Sequence, residues 1–478
     1  MRPSVKFFAI ALAVIVQMGW RGEASAQTKI DWPTFGRTAE RTGYNPFETL
    51  LSATSVPQLK MHWLAKLPSN ATYQPSLVRQ IRTASGTRDL LVVTLLSGYV
   101  IALDAATGDQ VWSTLIAPTQ LPCYGKTISV GIGEPATIDV ATGRVYVVDA
   151  AGLLHALAIA TGVEIAGYPL EIIDNANLAA ETWVHFASPT LVGDQLYLTT
   201  AAFCETPQIA YHGQVIQFDT STATVAGRYY PMGNGAVHGG GIWGVGGVAA
   251  EAGGPHLWIA TGNTLPAPQN SGNAEKIVEL DRKLNQVAVD GPVLRASGDL
   301  DFGSTPLLFK PHACRRMLAA MNKAGLLVVY NRDDIKDGPI QMLQISDGGG
   351  SSKFFGMAAY DPQTEAIYLS NPKDSGTGPY LHGLVALSVT PACTLALKWQ
   401  QTVGLNGNLS QAVPPTVADG VVWLAEGNAG QVAAFDAGTG APLWNSGTTI
   451  KPPSYAAPVV VNGQMFVAGG ATMYAFGL

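Results

Sequence analysis

One phrase recurs along the chain and limits its fold more than any other feature. "YVIALDAATGDQVW" (Tyr99 to Trp112) returns as "QVAAFDAGTGAPLW" (Gln431 to Trp444), with an Asp, a Thr-Gly pair and a Trp at the same spacing. Weaker copies are "LLHALAIATG", "QVIQFDTSTATV", "KIVELDRKLNQV", "LLVVYNRDDI", "GLVALSVTPACTLALKW" and the terminal "TMYAFGL". Aligned on the Asp position, the copies fall at Asp104, Ala158, Asp219, Asp281, Asn331, Ser388, Asp436 and Gly477. The period of about 50 residues lies in the range of propeller blades.

Each unit reads as four short strands separated by turns, with the "xALD" strand third and a strand often ending in Trp fourth. With 53 Gly, 30 Pro and only 13% charged residues, the composition suits short strands and tight turns rather than long surface helices. The reading is an all-β, eight-bladed β-propeller of four-stranded antiparallel blades. A two-sheet sandwich would leave the eightfold repetition unexplained. The eighth unit stops at Leu478 without an outer strand, and "MHWLAKL" (Met61 to Leu67) has the outer-strand pattern, with Trp63 as its Trp. Closing the ring with that N-terminal strand hides two sheet edges.

Ahead of the propeller (61–478) come two segments, an extension (27–60) and a signal peptide (1–26). Arg2 and Lys6 precede the apolar run "FFAIALAVIV", and "ASA" (Ala24 to Ala26) fits a cleavage site. This predicts a periplasmic or secreted protein that does not span a membrane after cleavage. A net charge of −6 without a basic stripe argues against nucleic acid. Four scattered cysteines without a CxxC exclude a covalent haem site of the CxxCH kind. Export permits disulfides, with Cys314–Cys393 and Cys123–Cys204 both open as pairs.

In a four-stranded blade, the start of the innermost strand and the loop after the second strand lie on one face. Five conspicuous side chains fall at those places in blades three to five. Trp243 in "GGGIWGVGG" opens the first strand of blade four and Asn263 in "LWIATGN" ends its second. Glu205 follows the second strand of blade three, Asp301 in "GDLDFGS" precedes the first strand of blade five, and Lys323 follows its second. Glu205, Asn263 and Asp301 offer the hard oxygens that Ca²⁺ takes. Trp243 offers a flat stacking surface, and Lys323 a cation for an anionic or quinone oxygen. The scattered histidines, among them His212 and His238, form no hydrolase arrangement and are read as loop residues.

The Asp/Thr-Gly/Trp phrase resembles the tryptophan-docking repeat of quinoprotein propellers. That family includes dehydrogenases holding pyrroloquinoline quinone (PQQ) and, more distantly, the BamB-type scaffold of outer-membrane assembly. "IWG…LWIATGN" is similar to the stacking-Trp and metal-Asn segment of the PQQ-dependent alcohol dehydrogenases. Glu205 before "YHGQVIQFD" looks like their metal Glu, "LDFG" like their catalytic Asp segment, and Lys323 before "AGLLVVYNRD" like their quinone-contacting cation. The resemblance implies PQQ and Ca²⁺ as cofactors, Asp301 as base in preference to Asp299, and a small alcohol or polyol as substrate. It implies a separate cytochrome c as electron acceptor.

The chain departs from that pattern above the cofactor. It lacks the family's Cys-Cys pair and the Arg that follows it. Cys123 and Lys126 in "PTQLPCYGKTIS" are the nearest substitutes for contacting PQQ, and Glu134 stands where relatives often carry a hydroxyl. Gly303 occupies the place of the extra Asp of lanthanide-dependent relatives, which favours Ca²⁺. The alternative function is a non-catalytic, BamB-like binding propeller, which has no use for a carboxylate cluster at the channel mouth.

Overall fold

The structure is a computed structural model that describes residues 31–123, 125–173, 183–184, 187–202, 211–233, 238–265, 271–292, 300–347, 357–376, 378–404, 413–426, 430–448, 450 and 456–478. The proposed signal peptide, Glu205, Asp299 and Cys204 lie outside the described residues.

Eight antiparallel sheets form an all-β propeller. From the inside outward, blade one runs Ser76–Thr83, Gly86–Thr94, Tyr99–Asp104 and Gln110–Leu115. The innermost strands of blades three, four and five are Thr190–Val192, Ala249–Ala250 and Leu307–Phe309. Blade eight contributes Val459–Val461, Gln464–Ala468 and Thr472–Gly477, and its fourth strand is the N-terminal Lys60–Lys66. The expected closure is therefore present, starting one residue earlier than the pattern suggests. Burial explains the strand patterns. Third strands such as Val432 to Phe435 are covered on both faces by neighbouring blades and read as apolar runs. Outer strands such as Gln110–Leu115 alternate exposed with covered residues.

The recurring Trp and Gly meet between blades. A Cβ on Gly108 would lie 2.6 Å from the Trp63 ring, one on Gly162 2.4 Å from Trp112, and one on Gly440 2.6 Å from Trp399. Each of these glycines has a left-handed φ, from +71 to +78°, so the position suits glycine twice over. The indole N–H groups reach the same turns: Trp63 donates to the Ala105 carbonyl (3.1 Å), Trp112 to Ile159 (2.8 Å) and Trp399 to Ala437 (3.1 Å). Every such contact joins one blade to the next. The Cys314–Cys393 disulfide adds a covalent link between blades five and six. Cys123 is also disulfide-bonded.

The extension forms a belt inside the ring. The Ile138 N–H of blade two donates to the Pro33 carbonyl (2.8 Å), Ala250 of blade four to Ala39 (2.9 Å), and Leu308 of blade five to Glu40 (3.2 Å). Tyr360 of blade six donates to Thr42 (2.9 Å) and Val417 of blade seven to Gly43 (2.8 Å). Trp32 bridges Leu77 of blade one, Thr34 meets Ser188 ahead of blade three, and Asn45 Nδ2 donates to Val460 of blade eight. The belt thus visits the blades in order and satisfies the free edges of their inner strands. Its Trp32, Phe35 and Arg41 are buried.

Two expected strand positions shift near the site. The second strand of blade four ends at Ala260 and its first begins at Ala249. Asn263 and Trp243 consequently stand in the connecting backbone, not within the strands. Runs of glycine on both sides (Gly239 to Gly241, Gly244, Gly246 and Gly247) lack the side chains that would hold a longer ladder.

Candidate active site

Asp301 is the centre of the site. The backbone leading to the first strand of blade five passes between blade four and the loop after the second strand of blade five. The Phe302 N–H donates to the Thr261 carbonyl (3.3 Å), and the Lys323 N–H to the Asp301 carbonyl (2.8 Å). The carboxylate is 2% exposed. Its Oδ1 accepts the Asn263 backbone N–H at 2.9 Å, and its Oδ2 accepts the Trp243 indole N–H at 2.8 Å. The Lys323 ammonium is 3.2 Å from Oδ2 and also 4.8 Å from the centroid of the Trp243 ring. Four of the five residues singled out in the sequence therefore converge. Lys323 compensates the buried carboxylate and contacts the π face of the indole.

Glycines make this density possible. A Cβ at Gly262 would lie 3.3 Å from Asp301 Oδ2 and 3.4 Å from Trp243 Nε1, and one at Gly303 only 2.5 Å from Trp243 Cη2. Position 303 has no room for an extra aspartate while Trp243 keeps its place.

The Asn263 side chain offers the clearest ligand atom of the cluster. Its Oδ1 is buried and accepts no hydrogen bond, although an unsatisfied buried acceptor costs about 1–3 kcal/mol. A buried oxygen of this kind, on the residue whose N–H holds Asp301, fits a hard cation. Among the described residues no cluster of three or more His, Cys, Asp or Glu side chains forms a metal site. The oxygen set on hand is Asn263 with Asp301.

Cys123 and Lys126 sit at the turn of a two-stranded hairpin, Thr119–Cys123 with Lys126–Val130, and Lys126 is exposed. Glu134 is fully buried, and its Oε1 accepts the Val148 N–H at 2.8 Å, which turns that oxygen into blade two. Contrary to the loop expectation, His238 lies in the short strand His238–Gly239, paired with Thr264–Leu265, and His212 bridges Gly239; their rings are in edge contact at 4.8 Å. Burial, and secondarily the neighbouring His212, lowers the His238 pKa. The sequence reading overlooked Arg41, whose only sequence signal was a basic residue in an extension without an assigned role.

Comparison with known proteins finds the following similarities. Residues 32–260 match the family model described as glucose/ethanol/alcohol dehydrogenase, β-propeller domain, and residues 389–477 match that of the outer membrane protein assembly factor BamB. A polyvinylalcohol dehydrogenase of a Pseudomonas species is 23% identical, covering 93% of this chain and 72% of its own. The quinohemoprotein alcohol dehydrogenase of Comamonas testosteroni has a similar structure (TM-score 0.66, 17% identity, 95% of this chain and 81% of that one). So does a europium-containing methanol dehydrogenase (TM-score 0.70, 13% identity, 94% and 98%). With the eightfold sheet order, the inter-blade Trp–Gly contacts and the Asp301 cluster already in place, the chain resembles the quinoprotein alcohol dehydrogenase-like β-propellers.

Proposed function

We propose that the protein is an exported PQQ- and Ca²⁺-dependent dehydrogenase of small alcohols or polyols, which works in the periplasm and passes electrons to a separate cytochrome c. The observation that carries this reading is the buried Asp301 carboxylate, held by Trp243, Asn263 and Lys323 beside the unpartnered Asn263 Oδ1. PQQ, when bound, supplies the two-electron acceptor for hydride from the alcohol carbon. Asn263 Oδ1 and Asp301, with Glu205, would hold the cation, and Trp243 would give the planar ring a surface. Asp301 takes the hydroxyl proton on its carboxylate as the C–H bond breaks. Lys323 and the Asn263 N–H keep that carboxylate aimed. Cys123 and Lys126 are proposed to lie over the cofactor. No helix among the described residues is long and apolar enough to cross a membrane.

The BamB-like alternative draws on the match over residues 389–477. It assigns no role to a buried acid paired with a lysine against a half-buried indole. The two readings separate on one experiment. Purified protein given PQQ and Ca²⁺ should reduce an artificial dye in the presence of alcohol. Asp301→Asn should lose about 10²–10⁴-fold in turnover while retaining PQQ. Absence of dye reduction at saturating cofactor across a panel of alcohols and polyols would remove the dehydrogenase reading.

A further inference from the structure

The belt does more than close the channel, because its one fully buried cation reaches the backbone that carries Trp243. Arg41 is 0% exposed. Its Nη1 donates to Thr34 Oγ1 (2.9 Å) and to the Phe35 carbonyl (2.7 Å), both within the belt. Its other donors leave the belt. Nη2 lies 2.5 Å from Thr190 Oγ1 and 3.4 Å from the carbonyls of Ser188 and Pro189, and Nε lies 3.4 Å from the Val248 carbonyl. No carboxylate lies within ion-pair distance of the guanidinium among the described residues. Burial pushes its pKa down to about 9, with Glu40 opposing in part.

The acceptors that Arg41 gathers are those that pin the Trp243 segment. The Ser188 N–H donates to the Val245 carbonyl (2.8 Å), and the Thr190 hydroxyl to the Val248 carbonyl (2.7 Å). The Gly247 N–H closes a turn on the Gly244 carbonyl at 2.7 Å. On the far side, a Cβ at Gly244 would fall 2.7 Å from the Thr305 N, so the segment is wedged against blade five as well. Trp243 begins this segment and points its indole N–H at Asp301. Hydrogen bonds therefore run from Arg41 through Ser188 and Thr190 to Val245 and Val248, on the backbone segment that begins with Trp243.

We infer that Arg41 is a positioning residue, a belt-borne brace that fixes the Trp243 segment from beneath and so pre-forms the surface on which a planar cofactor would stack. A planar guanidinium suits the task because it presents five donors in a fixed fork to acceptors on different strands. A hydrophobic side chain would fill the space and leave those acceptors unsatisfied. The part of the inference that concerns a planar cofactor rests on the dehydrogenase reading; the bracing does not.

The test uses the whole chain with Arg41→Gln, Arg41→Lys and Thr190→Val. Thr190→Val keeps the shape and the guanidinium but removes the hydroxyl between Arg41 and Val248. Amide hydrogen exchange of the cofactor-free protein should be at least tenfold faster at 243–248 in Arg41→Gln and Thr190→Val, with blades six to eight unchanged. Arg41→Lys should recover part of the protection. In PQQ titrations the dissociation constant should rise at least tenfold in the same two variants. Unchanged exchange at 243–248 in the folded Thr190→Val variant would overturn the inference, as would a rise spread evenly around the ring. If the wild-type protein takes no PQQ but exchange rises only at 243–248, the brace stands and the quinone reading falls.

Discussion

Gly303→Ala probes the site with a single methyl group. An added Cβ would stand 2.5 Å from Trp243 Cη2, 3.1 Å from Cζ2 and 3.2 Å from Cζ3, where ordinary contact begins at 3.4 Å. The indole must retreat by roughly 1 Å to restore contact distance, at an overpacking cost of about 1–3 kcal/mol. That retreat stretches the 2.8 Å bond from Nε1 to Asp301, a buried hydrogen bond to a charged group worth about 1.5–3 kcal/mol. A displacement of this size at a reacting group costs on the order of 10²-fold in rate. The assays are dye-coupled turnover with PQQ and Ca²⁺, and thermal unfolding of the unloaded protein. Gly376→Ala serves as control, since its Cβ would have nothing closer than 3.8 Å. Adding Trp243→Phe to Gly303→Ala relieves the collision but removes the Nε1–H donor to Asp301, so turnover should stay low. If Gly303→Ala unfolds at the wild-type temperature and turns over within twofold of wild type, the packing of Trp243 against position 303 does not hold the site.

Two further outcomes follow from blade contacts away from the site. Gly162→Ala should destabilise the protein by about 2–5 kcal/mol, from left-handed backbone strain of about 1–2 kcal/mol and collision with Trp112 of about 1–3 kcal/mol. Gly420→Ala has a similar φ of +73° and no atom within 4 Å, so calorimetry should show the strain alone, about 1–2 kcal/mol. His155 gives a pH dependence. Burial alone would lower its pKa, but the carboxylates of Asp149 (3.5 Å from Nε2) and Glu164 (2.8 Å from Nδ1) outweigh burial and raise it from 6.5 to about 9. A folded-state value above the unfolded one means that this stabilisation is complete below about pH 6.5 and is lost as pH rises through 9. Its size is on the order of 3 kcal/mol. His155→Gln should therefore unfold well below wild type at pH 6 and close to it at pH 10; an equal deficit at both would refute the charge pairing.

Much of the ring was legible because each blade repeats the same physical problem. The third strand is buried on both faces, so its apolar run and terminal polar residue recur at Asp104, Asp281 and Asp436. The Thr-Gly turn must admit a neighbour's indole, so Gly108, Gly162 and Gly440 recur with it. Topology alone also brought Trp243, Asn263, Asp301 and Lys323 to one place, since strand entry and strand exit share a face. Strand ends at the site were less legible: glycine-rich backbone around Trp243 holds its shape by single contacts, such as Ser188 to Val245, which leave no periodic trace. The belt was illegible for the same reason. Its bonds run mostly from backbone to backbone, between partners as distant in sequence as Gly43 and Val417. Arg41 acquires its role only when Ser188, Thr190 and Val248 are folded around it.

The most direct measurement is a crystal structure of the protein grown with PQQ and Ca²⁺ at saturating concentrations. The account predicts a planar tricyclic density against the Trp243 ring and a cation about 2.3–2.6 Å from Asn263 Oδ1 and an Asp301 carboxylate oxygen. A structure in which Asn263 Oδ1 still lacks a partner, and the Trp243 ring carries no cofactor, would contradict it.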